Sequence, residues 1–293
     1  MSIQKYKAFI KTIEHSSVTK AAEELGYTQS AVSKMISDLE HDWNMTLIHR
    51  YRSGAVITSE GIAIMPHIRD ILNGYENLNQ TIEELQGLKA GTLRIGSFTS
   101  LSTNLLPLIL KSFHEKHPNV QIQLFNGEYN DIIDWLRAGT IDCGFVALPV
   151  PVDIEATPFF IDSLVAVVPP KSNYAKNKKF YLSDLANETL IQLKEEKDHE
   201  ISYFIERSGV MPGNVFDVTN DYSILSMVES GLGVSIIHDL MLYPMRYNVH
   251  RLTLDKKKQI DIALATKKET TPSSLTRMFM DHALSNVNRF LRR

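Results

Sequence analysis

The stretch Val18-Thr19-Lys20-Ala21-Ala22-Glu23-Glu24-Leu25-Gly26-Tyr27-Thr28-Gln29-Ser30-Ala31-Val32-Ser33 decides how the chain is read. Ser17 suits the N-cap of a short helix at 18–25, and Gly26 sits where a left-handed residue ends it. Ala21 and Ala22 are small enough for another helix to cross closely. Thr28 suits the cap of that helix, at 29–40, which turns Ala31, Val32, Ile36 and Leu39 inward. Its outward set is Gln29, Ser30, Ser33, Lys34 and Ser37. Upstream, Ile3, Tyr6, Ala8, Phe9, Ile10 and Ile13 give a first helix one buried face. Two short helices, a Gly-containing turn and a small polar outer face describe a helix-turn-helix. Such a face can sink into a major groove. Gln29 can then bond a base edge in two places, and Thr28, Ser30, Ser33 and Lys34 reach bases or phosphates. A solvated helix of a three-helix bundle has the same periodicity, so the next segment decides between the two.

Leu47-Ile48-His49-Arg50-Tyr51-Arg52-Ser53-Gly54-Ala55-Val56-Ile57-Thr58 reads as strand, turn, strand: a wing beside the helix-turn-helix. Arg50 and Arg52 on it could meet phosphates or a minor groove. Lys and Arg number seven in residues 1–60, and so do Asp and Glu, so any DNA binding depends on cations sharing one face.

These residues resemble the LysR-type transcriptional regulators. The resemblance rests on Phe9, on the run 18–33, on Ile36, Leu39-Glu40, Leu47 and Arg50, and on Ile57-Thr58 with Gly61. Its departures are mild: Ile48 and His49 stand where the family usually has Phe and an acidic residue, and Trp43 lies in a segment that is commonly more polar. The DNA-binding domain is expected at 1–58.

Ser59 and Glu60 begin a helix in which Ile64, Ile68, Ile71, Tyr75, Leu78, Ile82 and Leu85 repeat every three or four residues. So narrow a stripe suits a partner helix, with Ile71, Tyr75, Leu78, Ile82 and Leu85 as dimerisation residues; packing on its own domain is the alternative. The resemblance implies the same use of this linker (59–90), and a tetramer as the assembly. Gly87 to Gly91 reads as its hinge.

Beyond residue 91, strand and helix patterns alternate, which predicts α/β lobes with a mostly parallel sheet. Asp162 to Val168 reads as a strand crossing to a second lobe, and Ile260 to Ala265 as the strand crossing back. Lobe one is placed at 91–161 and 267–293, lobe two at 162–266. This plan, and the block 220–237 with Gly231-Leu232-Gly233-Val234, resembles the type 2 periplasmic-binding-protein fold of the family's effector domain. Ser97, Thr99, Ser100, Ser102, Thr103 and Asn104 are expected between a strand end and a helix start, where ligands gather in open α/β lobes. Thr219 and Asn220 hold the matching place in lobe two, and Gln192 is a weaker candidate. Hydroxyls and helix-start amides favour a small carboxylate or other anion.

The chain has 293 residues, 43% apolar and 22% charged, and a net charge of −3, which excludes a uniformly basic nucleic-acid coat. The lone Cys143 cannot form an internal disulfide and suits a reducing cytoplasm. No signal peptide or membrane span is read, which disfavours an exported solute-binding protein. His114 and His117 find no third ligand, so no metal or cofactor is expected; Cys143 reads as a buried small residue. No nucleophile elbow, P-loop or dinucleotide fingerprint is present, so the chain is read as no enzyme. A binding protein or enzyme with a helical leader is the rival, and the motif at 21–33 with its wing argues against it. The expected partners are double-stranded DNA, a small-molecule effector, further copies of the chain and, as a candidate, RNA polymerase.

Overall fold

A computed structural model describes residues 2–51, 54–85, 91–194, 200–244, 246–268 and 270–291. Helices α1 (Ile3–Glu14), α2 (Val18–Leu25) and α3 (Gln29–Trp43) precede a hairpin of β1 (Ile48–Tyr51) and β2 (Gly54–Ile57). Phe9, Ala21, Val32, Ile36, Leu39 and Leu47 bury fully and form the core of this unit. Each large side chain so buried contributes about 1.5–3 kcal/mol. The Ser17 hydroxyl accepts from the Lys20 amide at 3.3 Å and caps α2; Gly26, at φ 70°, ends it. Thr28 accepts from the Ala31 amide at 3.2 Å and caps α3. That helix outlasts the expected 29–40 by three residues: its break comes only at Asn44, at φ 50°, after Trp43 has stacked on Tyr6. The hairpin docks on the α1–α2 turn, where the Ala55 amide donates to the Ser16 carbonyl at 2.8 Å. A Cβ at Gly54 would lie 2.5 Å from that oxygen, so only glycine fits.

Helix α4 (Ser59–Leu85) follows, with Pro66 inside it. Its apolar residues differ in burial along the helix. Ile68 and Leu72 are buried in the core of the winged unit, and Ile64 packs against it, whereas Ile71, Tyr75, Leu78 and Ile82 are exposed. The winged unit thus covers the first half of the stripe and leaves Ile71, Tyr75, Leu78 and Ile82 uncovered. The side chain of Leu85 and residues 87–90 of the expected hinge lie outside the described residues.

The remainder comprises β3 (Gly91–Ser97), α5 (Thr99–Asn104), α6 (Leu106–His114), β4 (Val120–Asn126), α7 (Tyr129–Arg137), β5 (Cys143–Ala147) and β6 (Ile154–Val168). After these come β7 (Lys179–Phe180), β8 (Thr189–Leu193), α8 (Glu200–Ser208), β9 (Asn214–Val218), α9 (Asp221–Glu229), β10 (Ser235–His238), β11 (His250–Leu254), β12 (Gln259–Lys267) and α10 (Ser274–Leu291). Two lobes share one curled sheet, ordered β4-β3-β5-β12-β6-β11-β7, with β10 also on β6. Residues up to Ser163 of β6 pair with β12, and Leu164 onward pairs with β10 and β11, so this one strand serves both lobes. It begins at Ile154, well before the expected Asp162. The sheet is mixed: β4, β3 and β5 are parallel, while β12 and β6 return antiparallel. The second lobe adds the parallel pair β8-β9, bridged to the larger sheet's neighbourhood through Leu190 and Val234. Helix α10 packs back on α6 of the first lobe. Cys143 lies in this core, where burial and then the charge of Asp142 push its thiol up.

Candidate DNA-reading face and inter-lobe cavity

On α3, Thr28, Gln29, Ser30 and Lys34 are exposed and Ser33 is half-buried. Thr28 and Ser30 hydroxyls lie 3.0 Å apart at the helix start. The neutral charge balance resolves into two sets. Lys5 pairs with Asp38 and Asp42, and Lys11 with Glu14 and Glu24. Among the described residues no ion pair holds Lys20 or Lys34, and both are exposed. Lys20, exposed on α2, was absent from the sequence candidates. Exposed Tyr27 lies in the turn between α2 and α3.

Arg50 does not extend from the wing. Its guanidinium donates to the Ser37 hydroxyl at 3.1 Å and the Ser33 carbonyl at 3.4 Å, and lies 3.6 Å from Glu40. Glu40 in turn accepts from the Leu47 and Ile48 amides at 2.9 and 3.2 Å. The wing is thereby tied to the reading helix. Arg52 lies outside the described residues.

A cavity of ≈490 Å³ opens between the lobes, within the range of about 300–1,000 Å³ for small-molecule sites. Thr99, Ser100 and Gln192 line it. The other candidates do not. Thr103 lines a separate space of ≈200 Å³ with Tyr222 and Arg246. Ser97 is fully buried at the end of β3, and Ser102 donates to the Thr99 carbonyl and to Asn126, both at 3.0 Å. Thr219 is exposed and away from the lining; Asn220 caps α9 by accepting from the Tyr222 and Ser223 amides. The expected hydroxyl-rich loop is itself helix α5, so its side chains point different ways. Asn104 is a contact between lobes, donating to the Tyr222 hydroxyl at 3.1 Å and the Leu240 carbonyl at 3.0 Å.

Sequence reading missed Glu128, Asp131, Glu200, Asp221 and His238, which all reach the cavity. Glu128 caps α7, and its amide donates to Asp131 at 2.9 Å. The spacing of Glu128 and Asp131 is that of a capping box, a signal that was legible. Burial, then the charges of Asp221 and Asp131, push the Glu128 carboxyl up. His238 Nδ1 lies 3.3 Å from the buried carboxylate of Asp162 at the point where β6 changes lobes. Among the described residues no group of three or more His, Cys, Asp or Glu could hold a metal, and no helix is long and apolar enough to cross a membrane.

Two family models cover nearly the whole chain: the bacterial regulatory helix-turn-helix protein, lysR family, over residues 3–62, and the LysR substrate binding domain over residues 86–288. The chain is 29% identical to the HTH-type transcriptional regulator YvbU of Bacillus subtilis (strain 168), over 97% of this chain and 98% of that one. Its fold is similar to a full-length OxyR variant from Pseudomonas aeruginosa, with a TM-score of 0.80 at 18% identity, covering 98% and 95% of the two chains. It is also similar to full-length CbnR complexed with target DNA, with a TM-score of 0.66 at 21% identity, covering 99% and 100%. A helix-turn-helix with its wing, a linker helix and a two-lobed domain around a cavity, matched by both models, make the chain a member of the LysR family of transcriptional regulators.

Proposed function

We propose that the exposed face of α3 reads operator DNA, that the cavity between the lobes binds the effector, and that α4 couples the two. The observation that carries this reading is the double attachment of α4. Its middle turns bury Ile68 and Leu72 in the winged unit. On the same stretch Asp70 meets Lys267, and just beyond it Asn73 donates to the Gly139 carbonyl at 3.1 Å and Glu76 accepts from Arg94 at 2.8 Å. A lobe movement therefore reaches the DNA-reading head through one helix. The exposed Ile71, Tyr75, Leu78 and Ile82 pair with a second copy, and two copies present two reading helices to two half-sites in the cytoplasm. Ser100, Thr99 and Gln192 contact the effector. Gel shifts with the DNA upstream of the chain's own gene test the reading: a specific complex is expected whose affinity changes with effector. Equal affinity for that DNA and for random DNA overturns it.

A further inference from the structure

The cavity's own chemistry says which kind of molecule it takes. Four carboxylates line it, from Glu128, Asp131, Glu200 and Asp221, and among the described residues no Lys or Arg does. Glu200 is paired outside the lining with Lys258 at 2.9 Å. Ser100 supplies an independent sign of a missing partner. It is only 7% exposed, it faces the cavity, and its hydroxyl has no hydrogen-bond partner among the described residues. The hydroxyl opens into the cavity rather than being sealed in the protein, so a ligand there can pair with it.

We propose that the effector is a small organic cation, an ammonium or guanidinium compound with an apolar body, held between Glu128 and Asp221. This rests on the reading of the cavity as the effector site. The hydroxyls and helix-start amides of α5 had suggested an anion, but the three other helices that begin at the cavity each carry an acid in or beside the first turn. Asp131 accepts from the Glu128 amide at the start of α7, Asp221 stands in the first turn of α9 and Glu200 in that of α8. An incoming carboxylate meets their charge in a partly dehydrated cleft, where repulsion is stronger than in water. A cation gains from the same field. The rest of the wall is apolar: Leu193, Ile201, Ile224, Ile236 and Met241. Phe98 and Tyr129 pack edge-to-face at 5.0 Å and bring aromatic rings, which attract cations. A bare metal ion is disfavoured, because no three ligating groups converge among the described residues.

The placement of the two key acids also supplies a switch. Glu128 sits on the first lobe and Asp221 on the second, and their like charges favour separation. A cation between them attracts both, so it binds the closed arrangement better, and that difference is what moves a two-state equilibrium.

Calorimetry on the full chain with putrescine and phenethylamine, against the carboxylates succinate and phenylpropionate, tests this. At least one amine is expected to bind at millimolar concentration or below, and neither carboxylate. Glu128→Gln and Asp221→Asn should each weaken the amine by about tenfold, the size of a lost charged hydrogen bond. No amine binding, or amine binding unchanged in both variants, overturns the proposal. Ser202→Trp, which fills the cavity from α8, separates the two readings. A carboxylate that binds the parent and is lost in Ser202→Trp overturns the charge class and keeps the cavity as effector site. A probe that still binds Ser202→Trp sits elsewhere and removes both.

Discussion

Lys267 donates to both carboxylate oxygens of Asp70 at 2.9 Å, joining the end of the strand that returns from the second lobe to the middle of the linker helix. The pair is partly exposed, so it stabilises the fold by only about 0.2–1 kcal/mol. Its position matters more than its strength. β12 runs beside β6, the strand common to both lobes, so a change in lobe arrangement arrives at Lys267. Lys267→Met should leave effector affinity for the isolated protein within about twofold and reduce the effector-induced change in DNA affinity, since coupling is a free energy separate from either binding step. Calorimetry paired with gel shifts measures both. Full coupling in the variant would remove Lys267 from the path.

Gln29 begins α3 with its side chain exposed. Gln29→Ala should cost about 1–3 kcal/mol on operator DNA and relax the preference at one base position. Competition against single-base operator variants reads this directly. An equal loss on operator and random DNA means that Gln29 reads no base.

Lys34 and Arg50 differ in a way that salt titration can detect. Lys34 is unpaired among the described residues, while Arg50 is bound to Ser33, Ser37 and Glu40. A free cation that neutralises a phosphate carries a salt slope of about one. Lys34→Ala should therefore lower the slope by about one. Arg50→Ala should weaken binding through a loosened wing, with a slope change well below one. A full unit lost with Arg50 would show that it leaves Glu40 for the phosphate backbone on binding.

The DNA-reading half was legible because its signals are local. Ser17, Gly26 and Thr28 act on amides within three residues, and the Ala21-Ala22 pair buries as its size requires. The cavity was not legible in the same way. Ser97 to Asn104 was read as one polar set, yet helix α5 sends Ser100 to the cavity, Ser102 to Asn126 and Asn104 to Tyr222. The acids that dominate the lining come from α7, α8 and α9, and only the fold brings them together. In the linker stripe, a spacing of three and four cannot tell how far along α4 the winged unit covers it.

Leu78 and Ile82 are 56% and 44% exposed on α4, well beyond the part of the helix that the winged unit covers. Replacing both with Lys should place like charges against a partner helix and split the assembly. Light scattering on the full chain checks this. Parent mass in the double variant would take this face out of the interface.

Glu128 gives the effector-free protein a pH signature whose sign is fixed by its surroundings. Burial, followed by the nearby charges of Asp221 and Asp131, raises its carboxyl above the ordinary 4.5. For an acid raised in the folded state, the folded protein holds the proton more tightly than the unfolded chain. The stability this represents is complete below 4.5 and is lost as pH rises through the folded value. At neutral pH the ionised carboxylate is therefore a net cost, which isosteric Gln does not carry. Glu128→Gln should melt higher than the parent at pH 7, and the difference should shrink to nothing as the pH falls below the ordinary carboxylate range. Thermal melts of both proteins across that range decide it. A variant that melts lower than the parent at neutral pH would mean that Glu128 is held there by a favourable partner, and that the acids across the cleft do not repel one another.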